Sequence, residues 1–187
     1  MTEPAAAPAP ARAVLDFWFQ EIDPKFWFAK DEDFDRHLAM RFGADVEHAL
    51  AGGLLLWEDR PEARLALILL LDQFPRNLYR DTAKAFAGDA RALALTLDAM
   101  ARGWDRELPP PERQFLYMPL MHAEDAAIQG KSVAAFTALG DEDSLNYAIR
   151  HKRIICRFGR YPHRNDALGR PSTPEEKAFL LEPNSSF

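Results

Sequence analysis

Seven consecutive apolar residues, Leu65 to Leu71, run straight into the polar string Asp72-Gln73-Phe74-Pro75-Arg76-Asn77. A helix that is apolar on every side has no face to offer water, so it belongs at the centre of a helical fold. It is far too short for the ~20 residues of a membrane span. Pro61 suits the first turn of this helix. Pro75 predicts its end near Phe74, because proline lacks an N–H and its ring presses on the preceding turn. The core helix then carries Asp72, Gln73, Arg76 and Asn77 at its C-terminal end.

The segments on either side follow the same period. Val14, Leu15, Trp18 and Phe19 predict a short first helix, broken near Pro24. Phe34, Leu38, Phe42, Val46 and Leu50 form an i, i+4 stripe, with acids at its start and Gly52-Gly53 after it. Asp89 reads as the N-cap of a helix running to Met100. A helix from Glu112 meets Pro119, which either kinks it or begins another that reaches Gln129. Further helices are predicted over Ser132–Leu139 and from Asp141 to about Arg157. Thr173-Pro174-Glu175-Glu176 has the pattern of a capping box. No window alternates with a period of two, so no strand is expected. The prediction is an all-α fold of about eight to ten short helices in antiparallel pairs. It forms a single domain over 12–187, behind a flexible Ala/Pro-rich tail over 1–11.

With 187 residues, 48% of them hydrophobic, the chain can bury a core without staples. Its one cysteine, Cys156, excludes an internal disulfide and reads as a buried thiol. The N-terminus has no basic n-region or apolar stretch of a secretory signal. A cytoplasmic protein without a membrane contact is the expectation. The net charge of -6 argues against nucleic-acid binding, which calls for a basic face.

Against that acidic background, Ser144 to Asn165 holds six Lys/Arg and two His, with no Asp or Glu. Arg150, Arg153 and Arg157 recur along one helical face. Gly159 permits a turn, and Arg160, His163, Arg164 and Asn165 follow. Guanidinium forks and imidazoles gathered in this way suit a carboxylate or phosphate. The plainer alternative is a basic stripe paired with the protein's own acids, each exposed pair contributing ~0–1 kcal/mol. The loop's Tyr161-Pro162-His163-Arg164-Asn165 echoes Phe74-Pro75-Arg76-Asn77.

A third motif, Tyr117 to Asp125, sets His122 and Asp125 three residues apart on one predicted helical face, with Glu124 pointing elsewhere. Such a pair can orient an imidazole as a general base. It can equally be a histidine satisfied within its own helix. As metal ligands the two would need further donors from distant segments. There is no phosphate-binding glycine loop, no His-Glu-x-x-His and no Gly-x-Ser-x-Gly.

Leu71 to Asn77, Tyr117 to Glu124 and Arg157 to Asn165 resemble the hallmark segments of the bacterial domain-of-unknown-function family 924. Val14 to Phe19 and Glu176 to Leu180 match as well. The resemblance implies a helical fold akin to tetratricopeptide-repeat proteins and no established activity or cofactor.

The leading expectation is an Arg/His-lined pocket for a small anionic molecule. Asp72, Arg76, Asn77, Arg157, Arg160, Arg164 and Asn165 would bind it, and His122, His163 and Asp125 would move protons. One alternative is a tetratricopeptide-repeat-like interaction module that grips an acidic peptide. The other is a metal-dependent hydrolase using His122, Asp125 and His163.

Overall fold

The computed structural model describes residues 7–187, and every regular element among them is helical. Nine α-helices follow in order: α1 Ala9–Asp16, α2 Glu32–Leu50, α3 Pro61–Ile68, α4 Phe74–Leu78, α5 Asp89–Ala101, α6 Pro110–His122, α7 Ala126–Leu139, α8 Glu142–Phe158 and α9 Pro174–Phe179. Wide π-type turns at Phe17–Glu21 and Leu69–Gln73 continue α1 and α3. The all-α expectation holds. The tail boundary moves: helix begins at Ala9, and Ala11 is fully buried, so 9–11 belong to the packed body. Residues 1–6 of the expected tail lie outside the described residues.

The apolar run occupies the centre, as its composition dictates. Leu65 to Leu71 are all buried. Helix α3 packs against α1, α5 and α6, while α4 packs against α2. Phe17, Trp18, Phe34, Phe42, Phe74 and Phe115 interlock around the run, with ring centroids 5.1–6.5 Å apart along the chain of contacts. Arg64 is buried in this helix and survives there because its guanidinium reaches the Glu58 and Leu95 carbonyls and Asp98.

One expectation about proline is corrected. Pro75 does not stop the helix, which runs on through α4 to Leu78. Proline cannot donate to the Leu71 carbonyl four residues back, and its ring would press on it. The π-turn resolves this by widening the spiral, so that the Phe74 N–H meets the Leu69 carbonyl instead. Of the two alternatives for Pro119, the start of a new helix is not taken: Pro119 lies inside α6. The helix ends three residues later at His122, the chain breaks over 123–125, and Asp125 starts α7 by accepting the Ile128 N–H at 2.9 Å.

Gly140 and Asp141 alone separate α7 from α8, and such a tight connection makes antiparallel neighbours of them. Ala148, His151, Ile154 and Ile155 line the buried face of α8. Cys156 falls on the other face and is exposed, not buried as its apolar neighbours suggested. Helix α9 carries the anticipated capping box between Thr173 and Glu176. It docks on α8 through Ile154, Ile155, Tyr161 and Phe179. No helix among the described residues is long and apolar enough to cross a membrane.

Candidate functional site

Where α6 ends, the π-turn of the central helix and the start of α5 come together beneath the loop that follows α8. Asp72, on that π-turn, is fully buried, and its Oδ1 meets His122 Nδ1 at 2.7 Å. The Gln73 side-chain amide and Arg76 also serve this carboxylate, Arg76 at 3.3 Å. Arg76 then reaches outward to Asp89 with two hydrogen bonds, of 2.8 and 2.9 Å. Arg164 arrives from the far loop and meets the same Asp89 at 3.2 Å. The arginines of the two echoing Pro-Arg-Asn and Pro-His-Arg-Asn motifs therefore converge on one carboxylate.

The position of His122 is fixed by what happens at the end of its helix. The last carbonyls of an α-helix have no intrahelical donor. Here the fully buried Gln129 amide donates to the carbonyls of Leu120, Met121 and Ala123, at 3.3, 2.8 and 2.8 Å. The Tyr161 hydroxyl adds a 2.6 Å bond to the Met121 carbonyl. With its backbone tied down and Nδ1 on Asp72, His122 lines a cleft of about 330 Å³. Phe86, Ala90, Leu93, Pro119, Ala123 and Leu168 form its apolar walls, and Asp89, Glu124, Asp125 and Arg164 its polar ones.

Charge in the cluster settles the proton. Burial alone would raise the Asp72 carboxyl, but the Arg76 charge and the hydrogen bonds from His122 and Gln73 outweigh it and hold the carboxyl well below the usual carboxylate range. Burial pushes the His122 imidazolium down, with Arg76 adding repulsion, against the opposing pull of Asp72. The pair is thus an ionised Asp72 and a neutral His122 whose proton sits on Nδ1, between the two groups. Nε2 then carries the lone pair. A buried carboxylate that fixes the tautomer of a histidine is the arrangement that makes imidazole a directed base.

Of the residues singled out by sequence, Asp72, Arg76, His122 and Arg164 come together at this point. Asp125 stands at the rim of the same cleft, exposed, with its carboxylate capping α7. His122 and Asp125 do not share a helical face, because the helix breaks between them. For the same reason Glu124 turns inward, where Arg170 grips it with bonds of 2.6 and 2.9 Å and the Tyr161 N–H adds another at 2.7 Å.

The others lie elsewhere. Asn77 binds Asp35 on α2. Arg157 pairs with Glu175 at 3.1 Å on an exposed surface. Arg160 clamps Glu176 through Nε and NH2, at 2.6 and 2.8 Å, and Asn165 ties Ser172 and Glu176 to Arg170. These contacts hold α9 in place. His163 lies against Tyr161, with ring centroids 5.6 Å apart, and burial pushes its imidazolium down to about 4. Among the described residues, no three His, Cys, Asp or Glu side chains are placed to share a metal ion.

Sequence reasoning gave Asp89, His151 and Tyr161 no place in the site. His151 is buried with its Nδ1 on the Tyr147 carbonyl at 2.8 Å and its ring 6.3 Å from that of His122. Asp89 carried a signal that pointed to a different role. It is the first residue of α5 and makes no capping hydrogen bond, so its carboxylate is free for the two arginines.

The profile of a family described as "Bacterial protein of unknown function (DUF924)" matches residues 14–184. The solved structure of a protein of unknown function from Agrobacterium tumefaciens is similar, with a TM-score of 0.88 and 41% identity, covering 94% of this chain and 98% of that one. No curated protein matches.

Proposed function

The chain belongs to the bacterial family of unknown function DUF924, and for this member we propose a small-molecule site in which His122, oriented by Asp72, exchanges a proton with an anionic ligand anchored at Arg164. The observation that carries the reading is the 2.7 Å contact between the buried Asp72 and His122 on the wall of the cleft. A buried charge kept only for stability gains little over apolar packing. A neutral imidazole on the wall of a cleft, with one nitrogen fixed and a lone pair on the other, is set up to take a proton from a ligand, or from a water beside it. Arg164 lines the same cleft, and its Nε is buried without a partner among the described residues. A cytoplasmic location, which a lone exposed Cys156 suits, completes the proposal.

The other two readings draw less support. A helix-pair module gripping an acidic peptide would rely on outward cations, and Arg157 and Arg160 are engaged by Glu175 and Glu176. A metal-dependent hydrolase would need His122, Asp125 and His163 to converge, and among the described residues no three His, Cys, Asp or Glu side chains are placed to share a metal ion.

Thermal melts across a panel of small organic acids test the proposal. Wild type should gain stability with at least one of them, by ~2.7 kcal/mol at a hundred times the dissociation constant. Arg164→Gln should lose that gain. A flat response of wild type to the whole panel contradicts it.

A further inference from the structure

Resting on the reading of the cleft as a small-molecule site, we propose that its ligand is a small monocarboxylic acid with an apolar body, and that Asp89 competes with the ligand's carboxylate for Arg164.

Arg164 is the least satisfied cation of the cluster. Its side chain is 7% exposed and lies between the rings of Phe86 and Tyr161, at 4.6 and 4.5 Å. Asp89, at 3.2 Å, is the acid it contacts, and Nε has no acceptor among the described residues. Burial and the repulsion of Arg76 push its guanidinium below the usual arginine range. Asp89 is less dependent on the contact. Its two bonds to Arg76, at 2.8 and 2.9 Å, remain if Arg164 turns away. A carboxylate entering the cleft can therefore take Arg164 and supply an acceptor to Nε without stripping Asp89 of its partner.

The walls define the rest of the ligand. Phe86, Leu93, Pro119 and Leu168 give an apolar lining, and about 330 Å³ accommodates one ring or a short branched chain. Asp89, Glu124 and Asp125 border the same space. Arg76 offsets Asp89 and Arg170 offsets Glu124, so Arg164 has one positive charge to offer and Asp125 stands to repel a second negative one. That favours a carboxylate over a phosphate dianion.

Calorimetric titration of the full chain with benzoate, acetate, benzamide and inorganic phosphate, on wild type, Asp89→Asn and Arg164→Gln, tests this. Asp89→Asn keeps an oxygen for Arg76 and removes the competing charge, so it should bind benzoate about tenfold more tightly than wild type. Acetate, lacking the apolar body, should bind more weakly than benzoate, and benzamide should not bind. Arg164→Gln should lose benzoate while keeping its helical circular dichroism. If Asp89→Asn fails to fold, Asp89→Ser, which suits a helix start, takes its place. Benzoate binding that Asp89→Asn leaves unchanged or weakens overturns the inference, as does phosphate binding tighter than benzoate. In either case, a His122 ring resonance that moves with benzoate leaves the cleft reading standing. No binding by any of the three proteins sinks both.

Discussion

Gly88 and Leu71 touch where the start of α5 crosses the π-turn of the central helix. A Cβ on Gly88 would lie 2.1 Å from the Leu71 carbonyl oxygen and 2.8 Å from its carbon. Leu71 is the residue whose carbonyl Pro75 cannot serve, so the π-turn and the glycine answer the same constraint. Together they bring Asp89 to Arg76. Gly88 has an ordinary negative φ of -89°, so the requirement comes from the close approach and not from backbone conformation.

Gly88→Ala should consequently cost more than the usual exchange of glycine for alanine at a helix end. Overpacking against a backbone atom costs about 1–3 kcal/mol. Urea unfolding should report a loss in that range. A variant as stable as wild type would show that the two backbones do not press on one another.

Removing Asp72 should be more damaging than its single charge suggests. Asp72→Ala leaves a buried His122 Nδ1 donor, the Gln73 amide and part of Arg76 without their acceptor. Breaking one side of a buried ionic cluster costs about 3–5 kcal/mol. Asp72→Asn retains an oxygen and should fall between the two. Equal stabilities for wild type and Asp72→Ala, from chemical denaturation at neutral pH, would contradict the arrangement.

Gln129→Leu keeps the bulk of the side chain and removes its donors. The carbonyls of Leu120 and Ala123 would then lose this donor, while Met121 and the Tyr161 hydroxyl keep each other. Each buried polar group left unsatisfied costs about 1–3 kcal/mol. Hydrogen exchange should show the end of α6 opening first. Unchanged protection there would argue that the amide is dispensable.

Acid should act on this protein earlier than carboxylates alone would predict. Burial pushes His151 down to about 3 and His163 to about 4, from an unfolded value of ~6.5. A group depressed in the folded state contributes stability above its unfolded pKa and loses it as pH falls. Stability should therefore be level above pH ~7 and decline through the interval from ~6.5 toward ~4, by up to ~1.4 kcal/mol per pH unit for each histidine. His151→Gln should flatten that slope, as followed by unfolding at a series of pH values. A wild-type profile level down to pH ~4.5 would contradict the burial of both imidazoles.

The fold was largely legible because its signals are local. Capping by Asp31, Asp141 and Thr173 comes from neighbours three residues apart, and the central position of the apolar run follows from its composition. The fate of the prolines was not local. Whether Pro75 ends a helix depends on room for a wide turn, which Gly88 provides from 13 residues away.

Within the cleft cluster, the sequence revealed the cations more readily than the acids that answer them. Arg76 and Arg164 stood out in dense motifs. Asp89 looked like any acid at a helix start, and only tertiary packing gives it two arginines. The partner of His122 likewise comes from Asp72, 50 residues distant, while the adjacent Asp125 is spent on a cap. The basic island divides in a way that composition cannot express: Arg157 and Arg160 hold α9, and Arg164 alone faces the cleft.

The most direct measurement is the nitrogen NMR spectrum of the His122 ring at pH 7, with and without a saturating small carboxylic acid. The expected result is a neutral imidazole protonated at Nδ1, with an unprotonated Nε2 resonance that shifts when the acid binds. A ring protonated at Nε2 alone, a charged imidazolium, or an Nε2 resonance indifferent to a bound acid would contradict it.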